Sequence, residues 1–195
     1  GGALLRWYRD TFGRYEQEEA RRTGSDVYDL ILEQASPGPS PVLILPHFVG
    51  SGTPWLASAS KGAILGLTLS TNRGDVIRAI VDSVSYEIKL SLDAILQVAA
   101  EHFGITVEDL KGRNRSARIA LQRQVVMYVM REETGASLPQ IALVLGGRDH
   151  TTVLHGCERV SSELDTDSDL ARTVNDLRNR LYEPARVRQN EHARA

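Results

Sequence analysis

The chain of 195 residues has room for one ordinary domain or two small ones. Hydrophobic residues make up 42% of it, charged residues 25%, and the formal net charge is −2, so any affinity for nucleic acid has to sit in a local patch rather than in overall charge. A single cysteine, Cys157, excludes an internal disulfide and a cysteine-based zinc site, and no run of about 18 apolar residues offers a membrane span. No signal peptide is visible, the start Gly1-Gly2-Ala3 lacks an initiator Met, as in a piece of a longer chain or a processed form, and a reducing cytoplasm is the expected compartment.

In chain order, residues 3–23 predict a helix whose apolar face is Leu4, Leu5, Trp7, Tyr8, Phe12 and Tyr15. Ser25-Asp26 suits the cap of a second helix over 27–35. The breaker run Ser36-Pro37-Gly38-Pro39-Ser40-Pro41 leads into a short apolar strand, 42–45. A loop follows over 47–61, then a second strand over 62–69, whose Gly62 and Gly66 suggest close backbone approach. From Asp75 to Phe103 there is no Gly or Pro, and Ile77, Ile80, Val81, Val84, Ile88, Leu92, Ile95 and Ala99 keep a helical period. One long helix is therefore expected to carry the chain stiffly from its first half into its second.

In the first half, Gly62-Ala63-Ile64-Leu65-Gly66-Leu67, Asp75-Val76 and Ala79-Ile80-Val81-Asp82 resemble the second signature of the FGGY carbohydrate kinases, such as xylulokinase. Gly1 to Trp7 and Phe48-Val49-Gly50-Ser51-Gly52-Thr53-Pro54-Trp55 are similar to that family's C-terminal domain, so the resemblance covers residues 1–90. It implies a sugar and ATP site between two large domains, with the catalytic base in an N-terminal domain not found in this sequence. The glycine-rich adenosine motif expected after the Ala79–Glu87 helix is missing as well. Gly50-Ser51-Gly52-Thr53 lacks the Gly-Lys-Ser/Thr end of a phosphate loop and reads as a structural turn. No catalytic residue and no cofactor is expected in this half. Its aromatic residues Trp7, Phe12, Phe48 and Trp55 are candidates for a protein-interaction surface.

The second half opens with Gly104 ending the long helix and a short turn at Val107-Glu108-Asp109-Leu110. Residues 111–131 hold Lys111, Arg113, Arg115, Arg118, Arg123 and Arg131 with no acidic residue, which makes a local basic patch. A solvated face is the ordinary fate of such a run, but this one precedes a helix-turn-helix pattern and suits phosphates. A helix is predicted over 119–133. Ser137-Leu138-Pro139-Gln140 forms a capping box that opens a short helix reaching Leu145, with Leu138, Ile141 and Leu145 inward. Gly146-Gly147 turns the chain into a helix over 149–161 that is expected to bury Val153, Leu154, Cys157 and Val160. Four polar residues in a row, Arg148-Asp149-His150-Thr151, open that helix. They suit an N-terminal turn that meets base edges in a major groove, although Asp149 is equally suited to cap the helix. A last helix is predicted over 170–182, followed by a polar tail, 184–195.

These elements resemble domain IV, the helix-turn-helix DNA-binding domain of the bacterial replication initiator DnaA. The matching residues are Val107-Glu108-Asp109-Leu110, Arg123-Gln124, Ser137-Leu138-Pro139-Gln140-Ile141 and the run from Gly146 to His155, in a span of 92–182. The resemblance implies that Asp149, His150 and Thr151 read the major groove and that Arg115 enters the adjacent minor groove. It implies that Arg123, Gln124, Arg131, Leu138, Pro139, Thr152 and Leu154 hold the phosphate backbone, the apolar ones through main-chain amides. Two departures are Gln122, where proline is usual, and Ala142, where glycine is frequent. No Walker A motif occurs, so the ATP switching of that family is not expected here.

Other residues read more plainly. His150 and His155 are five apart, off the spacing of a helical metal pair, and no metal site is expected. Cys157 is a small core residue. The expected fold is mainly α: an incomplete α/β kinase-like fragment over 1–90, one long linking helix, and an all-α helix-turn-helix domain over 91–183. The expected partner is double-stranded DNA at DnaA-box-like, replication-origin sequences, with no ATPase activity in the chain. The alternative is a carbohydrate kinase fragment or subunit.

Overall fold

The computed structural model describes residues 2–114 and 116–192, the last nine by backbone alone. Its elements are α1 (Gly2–Phe12), α2 (Arg14–Thr23), α3 (Val27–Leu32), β1 (Leu43–Leu45), β2 (Ala63–Leu65), α4 (Arg73–Phe103), α5 (Val107–Lys111), α6 (Ala117–Thr134), α7 (Leu138–Val144), α8 (His150–Glu163) and α9 (Ser168–His192). The fold is mainly α, and the strands form one antiparallel pair with Ile44 opposite Ile64. The chain divides into two compact units: Gly1–Ser51 with Ala57–Glu87, and Gly52–Leu56 with Ile88–Ala195. Among the described residues, no helix is long and apolar enough to cross a membrane.

Unit 1 packs α1, α3, the sheet and the start of α4 around Leu4, Tyr8, Ile31, Val42, Ile44, Ile77, Ala79 and Ile80. The single helix expected over 3–23 is two, divided at Gly13. A Cβ on Gly13 would lie 2.7 Å from the Arg9 carbonyl oxygen, a separation that only glycine avoids. The strand expected over 62–69 shrinks to three residues because Gly66 takes φ 82°, a left-handed value that ends the extended run. Gly62 does meet a close neighbour, since a Cβ there would lie 2.2 Å from the Phe48 ring. Trp7 is half-buried on Phe48, with ring centroids 4.7 Å apart, whereas Phe12 remains exposed.

A buried polar knot ties the helices of unit 1 together. The Glu16 carboxylate is 1% exposed and accepts from Arg73 Nη2 at 2.6 Å and Gln34 Nε2 at 2.7 Å, while Arg73 Nε donates to the Tyr8 hydroxyl at 2.8 Å. A buried carboxylate is tolerated because both its oxygens are occupied by donors, one of them charged.

Unit 2 is all helical. The uninterrupted period over 75–103 is one continuous helix, α4, that starts two residues earlier than expected, at Arg73. Its later residues Leu92, Ile95, Leu96, Ala99 and Ala100 enter a second core with Leu110 of α5, Val125, Val126, Met127, Val129 and Met130 of α6, Ile141 and Ala142 of α7, Val153 and Val160 of α8, and Leu170, Val174, Leu177 and Leu181 of α9. Thr106 and Asp109 form a capping box on α5, and Ser137 and Gln140 form the expected one on α7. With Gln122 in place of proline nothing interrupts α6, which starts at Ala117. The backbone of α9 continues to His192, ten residues past the expected end of the last helix.

Candidate nucleic-acid interface

Two short helices joined by a glycine turn present the site. Gly146 and Gly147 have φ of 90° and 71°, so the turn needs two left-handed residues in a row, which glycine alone adopts readily. The Gly147 and Arg148 amides both donate to the Ala142 carbonyl, closing α7. Asp149 then caps α8: its carboxylate accepts from the Thr151 amide at 2.7 Å and from Thr151 Oγ1 at 2.6 Å. The hydroxyl bond, followed by the amide bond, holds the Asp149 carboxyl below its ordinary range.

Beyond the cap, α8 turns Val153, Gly156 and Val160 into the core. Gly156 lets α8 approach α6 closely, since a Cβ there would lie 2.8 Å from Met127 Sδ. The opposite face, with Asp149, His150, Thr151, Thr152 and Leu154, is exposed. Leu154 therefore departs from the burial expected of it: it is 38% exposed, and Gly156 takes the inward position that lets the helices close. Cys157 is half-buried, and burial pushes its thiol up to about 11.

The other expected contact residues fall in three settings. Arg131 is exposed beside the start of α7 and donates to the Ala136 carbonyl. Gln124 is half-buried and accepts from Arg159 Nη1 at 3.2 Å. Leu138 and Pro139 form the first turn of α7, where Leu138 carries an amide with no intrahelical acceptor and Pro139 carries none at all. Of the apolar positions expected to work through main-chain amides, Leu138 alone fits, because the Leu154 amide lies inside the ladder of α8. Arg115 lies outside the described residues. Lys111, Arg113 and Arg118 are exposed.

Arg123 corrects the expectation most sharply. It is 6% exposed, and its guanidinium donates to the carbonyls of Leu110 (2.7 Å), Asp109 (3.0 Å), Gly112 (3.1 Å) and Asn114 (3.2 Å). A side chain held by four carbonyls inside the protein is placed to order the loop, not to grip a phosphate. Arg148, which sequence reasoning grouped with the helix start, joins it by donating to the carbonyls of Lys111 and Gly112. Burial lowers the pKa of both guanidiniums, and at Arg123 the neighbouring charge of Arg148 adds to the effect. The signal for this pairing was an arginine set directly after a two-glycine turn, a position with its side chain already aimed at whatever the turn packs on. Among the described residues, no three histidine, cysteine or acidic side chains gather to hold a metal ion.

Comparison with known proteins places two matches on this chain. The family model of the bacterial DnaA protein helix-turn-helix matches residues 92–160. The model of the FGGY family of carbohydrate kinases, C-terminal domain, matches residues 1–111, so the two overlap on the later part of α4 and on α5. The chromosomal replication initiator protein DnaA of Chloroflexus aggregans is 52% identical over 93 residues, 48% of this chain and 20% of that protein. The same protein of Chloroflexus aurantiacus is 50% identical over 93 residues, 48% of this chain and 19% of its own length. That of Crocosphaera subtropica is 39% identical over 119 residues, 61% of this chain and 26% of its own length. The chain thus spans 19–26% of the length of these relatives.

Proposed function

From a chain that belongs over residues 1–111 to the FGGY carbohydrate kinase family, and that carries the bacterial DnaA helix-turn-helix over residues 92–160, we propose that unit 2 binds double-stranded DNA sequence-specifically. Its sites are DnaA-box-like sequences, and its role lies in replication initiation or its regulation. The observation that carries this reading is the exposed polar start of α8, whose opposite face is fixed in the core. A helix of this kind enters a major groove N-terminus first. Asp149, His150 and Thr151 read base edges there, Thr152 and Leu154 line the same face, and Arg115 reaches the adjacent minor groove. Arg131, Gln124 and the Leu138 amide, with Pro139 against the sugar-phosphate edge, hold the backbone, and Lys111, Arg113 and Arg118 supply the surrounding charge.

Fluorescence anisotropy of a duplex carrying a DnaA-box sequence, against a scrambled duplex over a salt series, tests the proposal. Tighter binding of the box that persists as salt rises is expected. Equal binding of both duplexes, released together by salt, would leave the basic patch as a non-specific anion surface. His150→Ala is expected to narrow the gap between box and scramble, and Arg131→Ala to weaken both alike and lower the salt slope by about 1.

The second reading rests on the FGGY match: the chain works as a fragment or subunit of a carbohydrate kinase. Sugar-dependent ATP turnover by this chain alone, measured in a coupled assay, would favour it over DNA binding.

A further inference from the structure

We propose that Arg148 and Arg123 form a two-arginine clamp that fixes the register between residues 109–114, the end of α5 with the basic loop that follows it, and the first turn of α8, so that loop and helix meet a duplex as one unit. The inference rests on the DNA-binding reading above. Arg123 comes from α6 and takes four carbonyls of the loop. Arg148 comes from the turn before α8 and takes the carbonyls of Lys111 and Gly112, so Gly112 is shared by both guanidiniums. The turn itself rests on the same loop, since a Cβ on Gly146 would lie 2.5 Å from the Lys111 carbonyl oxygen. Asp149, the cap of α8, follows Arg148 directly, so a displacement at the clamp is passed to the helix start.

The choice of partners matters as much as the geometry. Both cations are ordered by neutral carbonyls, and no acidic group contributes to the pKa shift of either. Burying a guanidinium without a counter-charge costs desolvation. In return the positive charge beneath the loop is not cancelled by a buried acidic partner, and Arg113 of the same loop stays exposed. One nitrogen, Arg148 Nη2, donates to both carbonyls, and the rigid guanidinium plane fixes where that nitrogen lies, which the flexible stem of lysine does not. Arg148 is therefore a positioning residue that acts through the loop.

The test uses the full chain and its R148K and R148M variants, with a panel of DnaA-box duplexes substituted at one base pair each. R148K is expected to lower discrimination about tenfold at adjacent positions toward one end of the site, with the salt slope unchanged. Thr151→Ala should flatten a different set of positions, and the double variant should depart from additivity. Uniform weakening across the panel would reduce Arg148 to a general structural role, and a salt slope lowered by about 1 would make it a direct phosphate contact. Either result overturns the clamp. Should R148M fail to fold, R148K carries the test. Hydrogen exchange of the 109–114 amides without DNA separates this inference from the reading beneath it. Faster exchange in R148K supports the clamp even if the parent chain ignores the box sequence, and unchanged exchange overturns it even if the parent reads the box.

Discussion

At the scale of single residues, Arg123 and Cys157 behave unlike their sequence neighbours suggest. Arg123→Met removes a buried cation and leaves several loop carbonyls without donors, each worth about 1–3 kcal/mol when desolvated. A loss of about 3 kcal/mol in urea unfolding is expected, with no compensating gain from the apolar side chain, because the orphaned carbonyls stay buried. A loss below about 0.5 kcal/mol would show the carbonyls reaching water instead. Cys157 has the opposite character. Its thiol is half-buried and lifted to about 11, so little of the reactive thiolate exists at neutral pH. As the sole cysteine of the chain it should react with iodoacetamide far more slowly at pH 7 than a free thiol does, and at a free-thiol rate once urea unfolds the chain. Fast labelling of the folded protein would contradict the packing of α8 on α6.

At the scale of elements, the helix-turn-helix depends on caps and on two glycines. The Ser137 capping box orders α7, and Ser137→Ala should cost about 1 kcal/mol. Gly146→Ala is expected to cost more, about 2 kcal/mol, because it combines a positive φ with a contact to backbone that has no room to give. Gly156→Ala meets the flexible end of Met127 instead, so the same added methyl should be milder. Thermal melts of the three variants rank these costs, and an order with Gly156 worst would mean that the interface between α6 and α8 is stiffer than its side chains suggest. In unit 1 the comparable element-level tie is the Glu16 knot. Burial by itself would raise the Glu16 carboxyl, but hydrogen bonds from Gln34 and Arg73 outweigh it and hold the group below its ordinary 4.5. The stabilisation is complete above that ordinary value and is lost as pH falls through the lower, folded one. Acid titration by near-ultraviolet circular dichroism should show Glu16→Gln less stable at neutral pH and less sensitive to acid than the parent. Equal acid sensitivity in both would remove Glu16 as the cause.

At the scale of the whole molecule, a net charge of −2 hides a sharply uneven distribution. Residues 111–131 carry six cations and no acid, and four of the five described cations are exposed: Lys111, Arg113, Arg118 and Arg131. A duplex that binds only the folded second unit should stabilise it by about 2.7 kcal/mol at a hundred times its Kd. Hydrogen exchange should then slow in α6, α7 and α8 and stay unchanged in α1, α2 and α3, whose core residues are a separate set. Equal slowing everywhere would assign the binding surface to more than unit 2.

What the sequence determined by itself were the features written in local chemistry. The period of α4, the Ser137 capping box, the Gly146-Gly147 turn and the polar start of α8 each follow from a few adjacent residues whose backbone preferences and side-chain bonds act within one turn of chain. The overall mainly α architecture followed from the same periodicities. The tertiary structure decided the rest. It split α1 from α2 at Gly13, where the crowding comes from backbone one turn away. It turned Leu154 outward, because the close approach at Gly156 fixes which face of α8 the core accepts. It also took Arg123 out of the phosphate-facing set and paired it with Arg148. Charge and spacing announce an arginine, but the carbonyls that hold it come from another element, and only the packed fold brings them within reach.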